Sequence, residues 1–88
     1  MIKGKTESGF EYKIEEEALD DYELLEDLAA LDGGEVGKVF AVADRFMGKE
    51  QHVALKEHIR GKNGRVSAKK MLNEITEIMK SNQTGKNS

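Results

Sequence analysis

The sequence predicts a mostly α-helical domain with a small β-hairpin, the N-terminal hairpin packing on a compact four-helix domain. Three observations support this fold class. The first 15 residues alternate apolar and polar side chains around a short turn, the later apolar residues recur at helical spacing in four stretches, and no proline interrupts them. A chain of 88 residues can bury one modest core. We assign residues 1–80 to a single globular domain and residues 81–88 to a flexible polar tail.

The predicted hairpin joins residues 1–6 to residues 10–15 through a turn that contains glycine. Phe10, Tyr12 and Ile14 alternate with charged residues, as in a strand with one buried face. An isolated hairpin is only marginally stable in water. We therefore expect this face to pack on the helices.

The first predicted helix covers residues 16–31 and ends at Gly33 and Gly34. Acidic residues in its first turn complement the helix dipole. Its apolar residues recur at helical spacing, so we expect one stripe to face the core. This inward stripe consists of Ala18, Tyr22, Leu25 and Ala29.

Three further helices are predicted, over residues 35–47, 50–60 and 68–80. The second and fourth helices have the most regular apolar stripes, with Phe40 and Ile75 at mid-stripe. Both residues are therefore predicted to be central to the core. Ser67 is placed to cap the fourth helix.

The charge of the chain is unevenly distributed. The net charge of −3 disfavours a dedicated nucleic-acid binder, which is usually basic. Residues 15–27 contain eight acids and no base, whereas residues 56–70 are basic. Lys69 and Lys70 oppose the dipole of the helix that they begin, at a small cost. Their placement is compatible with chance, with an acidic partner, or with pairing to the acidic first helix.

No arrangement of residues predicts catalysis, a cofactor or a metal site. The stretch GGEVGK (33–38) lacks the spacing of a phosphate-binding loop, and His52 and His58 are about 240° apart on a helix. The acids of residues 15–27 do not follow the pattern of a calcium loop. There is no cysteine, no membrane-spanning apolar run and no apolar signal segment. We expect a soluble, intracellular protein that is not an enzyme.

Two segments of the chain follow a collinear pattern. An aromatic hairpin leads into an acidic helix in GFEYKIEEEALDDYELLEDLAALDGGEVGKV (9–39), and a glycine-rich turn leads into the last helix in ALKEHIRGKNGRVSAKKMLNEITEIM (54–79). Together they resemble the tail assembly chaperone family of long-tailed (siphovirus-type) phages and prophages of Gram-positive bacteria. The resemblance implies non-enzymatic binding of the tape measure protein and recruitment of major tail (tube) protein subunits during tail morphogenesis. It also implies action in the host bacterial cytoplasm, without a cofactor, and absence from the mature virion.

The first two helices carry more apolar residues than an inward stripe requires. Leu24, Leu28 and Leu31 widen the apolar arc of the first helix to roughly 180°, beyond the ~100° that faces a core, and Val42 widens the second. This flank is a candidate surface for an apolar helical partner. The alternative is that the hairpin and the third helix cover it. The other candidate partner-binding residues are Arg65, Lys69 and Lys70.

A second class of function uses the basic segment 56–70 to bind DNA, as in a small phage regulator. A helix-turn-helix joins its helices by a turn of about 3–4 residues. The connection over residues 61–66 is longer and contains two glycines. The sequence therefore favours an interaction module over nucleic-acid binding.

Overall fold

The computed structural model describes residues 1–82 and consists of a hairpin, a short 3-10 helix and four α-helices. The predicted fold class is therefore confirmed. Residues 83–88, which make up most of the predicted polar tail, lie outside the described residues. The elements in chain order are β1 (Ile2–Lys5), β2 (Glu11–Ile14), the 3-10 helix (Glu16–Asp20), α1 (Tyr22–Asp32), α2 (Lys38–Met47), α3 (Lys49–Ile59) and α4 (Ala68–Ser81).

The hairpin is antiparallel and buries the face that the sequence predicts. Phe10, Tyr12 and Ile14 are all buried, and Ile14 is fully inaccessible. Gly4 lies opposite Tyr12 in the register. A Cβ atom on Gly4 would lie 2.3 Å from the tyrosine ring, so only glycine allows the ring to cross the neighbouring strand here.

The first predicted helix is divided into two elements at Asp21. The backbone of Asp21 is extended (φ −111°, ψ 110°), and its carboxylate accepts a hydrogen bond from the Leu24 amide at 3.0 Å. Asp21 therefore ends the 3-10 helix and caps α1.

The helix α1 begins at Tyr22 rather than at residue 16, and a different face from the predicted one packs against the core. Leu24 is buried, and Leu28 and Leu31 pack partly buried against the core. Tyr22 and Leu25 are 73% and 60% exposed, and Ala29 is exposed as well. The predicted inward stripe on this helix is therefore wrong, apart from the partly buried Ala18 in the 3-10 helix. The face that packs against the core instead carries Leu24, Leu28 and Leu31. Three leucines bury more apolar area than a stripe containing alanines.

Helices α2 and α4 bury only part of their predicted stripes. On α2, Val42, Ala43, Phe46 and Met47 are buried, but Phe40 is 65% exposed, so the prediction that Phe40 is core is wrong. On α4, Ile75 is buried as predicted, and the Ser67 hydroxyl caps the helix by accepting from the Lys70 amide at 3.2 Å.

A single core forms between the hairpin and the helices. Its largest fully buried side chains come from β2, α2, α3 and α4 and are Ile14, Val42, Leu55 and Ile78. Two polar side chains join the hairpin to the helices. The Gln51 amide on α3 bonds to both backbone groups of Lys13, and the Asn82 amide donates to the Tyr12 hydroxyl at 3.2 Å. The hairpin is thereby held against α3 and the end of α4.

Candidate functional site: an apolar groove between α2 and α4

An apolar groove with a volume of about 570 Å³ opens between α2, α3 and α4. Val36 and Phe40 line the α2 side, and Leu72 lines the α4 side. His52 and Lys56, which are one helical turn apart, line it from α3. The start of α2, the middle of α3 and the first half of α4 therefore meet at one surface feature.

Three large apolar side chains on this groove are open to solvent. Val36 is 73% exposed, Phe40 65% and Leu72 47%. Single exposed apolar residues are ordinary, but apolar residues that converge on one concave surface mark an interaction site. The groove is therefore the strongest candidate for a functional site among residues 1–82.

The sequence carries a signal for this groove in the apolar stripes of the second and fourth helices. Phe40 and Leu72 both belong to the apolar stripes of their helices, and both lie near the helix N-termini. The residue before each of them packs in or against the core, which is Val39 on α2 and Met71 on α4. The excess apolar surface therefore lies in the width of the apolar stripes on the second and fourth helices.

The predicted apolar flank is part of the core rather than a free surface. Leu24 is 5% exposed and Val42 is inaccessible. Leu28 and Leu31 pack against the core, and Leu31 is the one member of the flank that also lines the groove. The assignment of Leu24 and Val42 as partner-binding residues is thus wrong, because other elements cover both side chains, whereas Leu28 is only partly buried.

The predicted basic residues are exposed but do not form the lining of the groove. Arg65, Lys69 and Lys70 are all exposed. Lys70 lines a separate polar depression with Ser8 and His58. The one cation of the basic segment 56–70 that lines the groove is Lys56.

Arg60 caps the end of α3, and its local hydrogen-bond partners explain a basic residue at this position. Its guanidinium donates to the Glu57 carboxylate at 2.8 Å and to the Gly64 carbonyl at 2.6 Å. The hydrogen bond from Arg60 lowers the pKa of Glu57 below its ordinary value, and the positive charges of Arg60 and Lys56 act in the same direction. Arg60 therefore stabilises the loop after α3. In this loop Gly64 adopts a positive φ of 83°, a conformation that favours glycine.

The acidic residues around α1 pair with α2. Arg45 contacts Asp21, Glu23 and Asp27 at 3.0–3.5 Å, and Lys38 contacts Asp27 at 3.6 Å. Desolvation acts to lower the pKa of Arg45, but the carboxylates outweigh it and raise that pKa. In the part of the chain that the structure describes, the ion pairs of α1 thus go to α2 and not to segment 56–70.

The polar side chains in the described part of the chain show no recognisable catalytic or metal-binding arrangement. His52 Nδ1 bonds to Asp44 Oδ1 at 2.7 Å, and His58 Nε2 lies 3.1 Å from the Ser8 hydroxyl. Within residues 1–82, no three His, Asp or Glu side chains are grouped as metal ligands. None of the helices in this range is both long enough and apolar enough to span a membrane.

We predict that segment 56–70 does not bind duplex DNA specifically. Residues 60–67 between α3 and α4 form a loop closed on itself, in which the Gly61 amide donates to the Arg65 carbonyl at 2.8 Å. This differs from the short turn of a helix-turn-helix. Fluorescence anisotropy with a labelled duplex should show only weak binding that disappears at physiological salt. Tight binding at that salt, lost in both Arg65→Ala and Lys69→Ala, would contradict the prediction.

Comparison with protein-family models, curated proteins and solved structures finds no match to this chain.

Proposed function

We propose that this protein is a non-enzymatic tail assembly chaperone of a long-tailed phage or prophage, and that it holds an apolar helical segment of the tape measure protein in the groove. The observation that carries the proposal is the convergence of Val36, Phe40 and Leu72, all well exposed, on one apolar groove. The family resemblance of residues 9–39 and 54–79 supplies the identity of the partner. Recruitment of tail-tube subunits belongs to the same proposal.

The shape of the groove suits a helix. Amphipathic helices dock by placing apolar side chains at positions i, i+3, i+4 and i+7 into a hydrophobic groove. The groove is bordered by α2, α3 and α4 and has a volume in the range of ordinary ligand sites, about 300–1,000 Å³. It can therefore accept a few apolar side chains from one face of a partner helix.

The energetic reason for binding is the apolar surface that the free protein exposes. Fully burying one large apolar side chain contributes about 1.5–3 kcal/mol. Phe40 and Leu72 lie on opposite sides of the groove, so a helix between them would remove both from water. A long helical protein with apolar faces would gain solubility from the same contact, which is the work of a chaperone.

The test is co-expression of the tape measure protein with single variants of the full chain. Phe40→Asp and Leu72→Asp place a charge in the groove at exposed positions, so each variant should stay folded. We expect each to leave most of the tape measure protein insoluble, whereas the wild type keeps it in solution. Val53→Asp is the matched control, because Val53 is 52% exposed but does not line the groove.

The readout is the soluble fraction of the tape measure protein together with the circular dichroism of each purified variant. Folded groove variants that keep the tape measure protein as soluble as the wild type does would contradict the proposal. Loss of solubility in Val53→Asp to the same degree would show that an added surface charge, rather than the groove, causes the effect.

A further inference from the structure

The groove has an electrostatic feature that its apolar lining does not explain. Lys56 is half-buried and is the one lining residue with a formal charge in the described part of the chain. We infer that the groove selects a helix with a carboxylate beside its apolar anchor residues, and that this carboxylate pairs with Lys56. The inference rests on the proposed function and specifies the chemistry of the partner.

Two carboxylates that neighbour the lining residues have other hydrogen-bond partners. Glu57, the next residue on α3, is bonded to Arg60 at 2.8 Å. Asp44 on α2 is bonded to His52 at 2.7 Å. Within residues 1–82, no ion pair joins the ammonium group of Lys56 to a carboxylate.

A helix bound in the groove would change the environment of the Lys56 ammonium group. A purely apolar helix would remove water from Lys56 and supply nothing in exchange, which is unfavourable for a charged group. A helix with Glu or Asp at the edge of its apolar face would supply a charge-assisted hydrogen bond. A helix with Lys or Arg at that position would be repelled. Lys56 thus discriminates among helices that carry equivalent apolar anchors.

Residues 83–88 do not have the composition expected of a helix bound in the groove. Residues 83–88 read QTGKNS, with no large apolar side chain and no acid. Residues 83–88 therefore do not supply an occupant with apolar anchors and a carboxylate. Charge complementarity with Lys56 favours an acidic amphipathic helix of a partner protein.

The experiment measures binding of three labelled helical peptides to the full chain by fluorescence anisotropy. The peptides share leucines at i, i+3, i+4 and i+7 and differ only at the two positions flanking this stripe, which are Glu, Gln or Lys. Changing both flanks makes the result independent of the orientation of the helix. We expect the wild type to bind the Glu peptide about tenfold more tightly than the Lys peptide, equivalent to about 1.4 kcal/mol.

Two variants separate the local contact from net charge. Lys56→Glu should reverse the order of the Glu and Lys peptides. Lys62→Glu makes the same change at an exposed loop position outside the groove, and it should keep the wild-type order. The same ranking in Lys56→Glu as in the wild type would overturn the inference.

The outcomes also distinguish this inference from the proposed function. If all three peptides bind the wild type equally and Phe40→Asp abolishes their binding, the groove holds a helix but the carboxylate selection is refuted. If no peptide binds and the wild type self-associates in a way that Phe40→Asp abolishes, a second copy occupies the groove and the inference is refuted. If no peptide binds the monomeric chain while Phe40→Asp still keeps the tape measure protein soluble, the inference and the proposed function both fail.

Discussion

Replacing Phe46 with alanine should lower the free energy of unfolding by about 3–5 kcal/mol, whereas replacing Phe40 with alanine should change it by less than about 1 kcal/mol. Both residues lie on α2, six positions apart, so each variant makes the same side-chain change near one end of the same helix. Phe46 is 5% exposed and packs in the core, whereas Phe40 is 65% exposed on the groove. The difference between the two variants therefore reports burial alone.

The measurement is chemical denaturation followed by circular dichroism, with the slope of the transition checked for each variant. The loss expected for Phe46→Ala is a large share of the roughly 5–15 kcal/mol that stabilises a domain. In a domain of this size, each 1 kcal/mol lowers the midpoint of thermal unfolding by about 4–8 °C. An equal loss in both variants would show that Phe40 is buried in solution and that the groove is closed.

Replacing Leu24 with aspartate should unfold most of the protein, whereas Leu25→Asp should leave it folded. Leu24 is 5% exposed, and its loss removes core packing worth about 2–5 kcal/mol. The new carboxylate would in addition be buried without a partner, at an effective cost of several kcal/mol. Leu25 is 60% exposed on the same helix, so its substitution adds the same charge in water.

Far-ultraviolet circular dichroism and the dispersion of amide proton resonances distinguish the two outcomes. We expect Leu24→Asp to lose both signals and Leu25→Asp to keep both. A folded Leu24→Asp with wild-type stability would mean that the other face of α1 is the one packed on the core. That result would restore the predicted stripe of Ala18, Tyr22, Leu25 and Ala29.

The elements whose signal is local were predictable from the sequence. The hairpin follows from the alternation of Phe10, Tyr12 and Ile14, and all three are buried. The predicted bounds of α3 and α4 lie within one residue of those observed, because glycines delimit α3 and Ser67 caps α4. Each of these features depends on residues that are close together in the chain.

The candidate site was only partly predictable. Lys56 belongs to the predicted basic segment 56–70, but nothing in the sequence placed it in the same groove as Phe40. The flank that was predicted for partner binding contains Leu24 and Val42, which are core residues. An apolar residue at helical spacing has the same signature in a core and in a binding groove, since both uses need an apolar face.

The sequence by itself determined that this protein is a hairpin followed by four amphipathic helices with one modest core. Only the tertiary structure decided which apolar residues the core covers. The extended backbone at Asp21 changes the face that α1 presents, and the packing of α2 and α4 leaves Phe40 and Leu72 uncovered. The physical reason is that periodicity measures how apolar a helix face is, whereas exposure depends on where other elements cross it, and those elements are distant in the sequence.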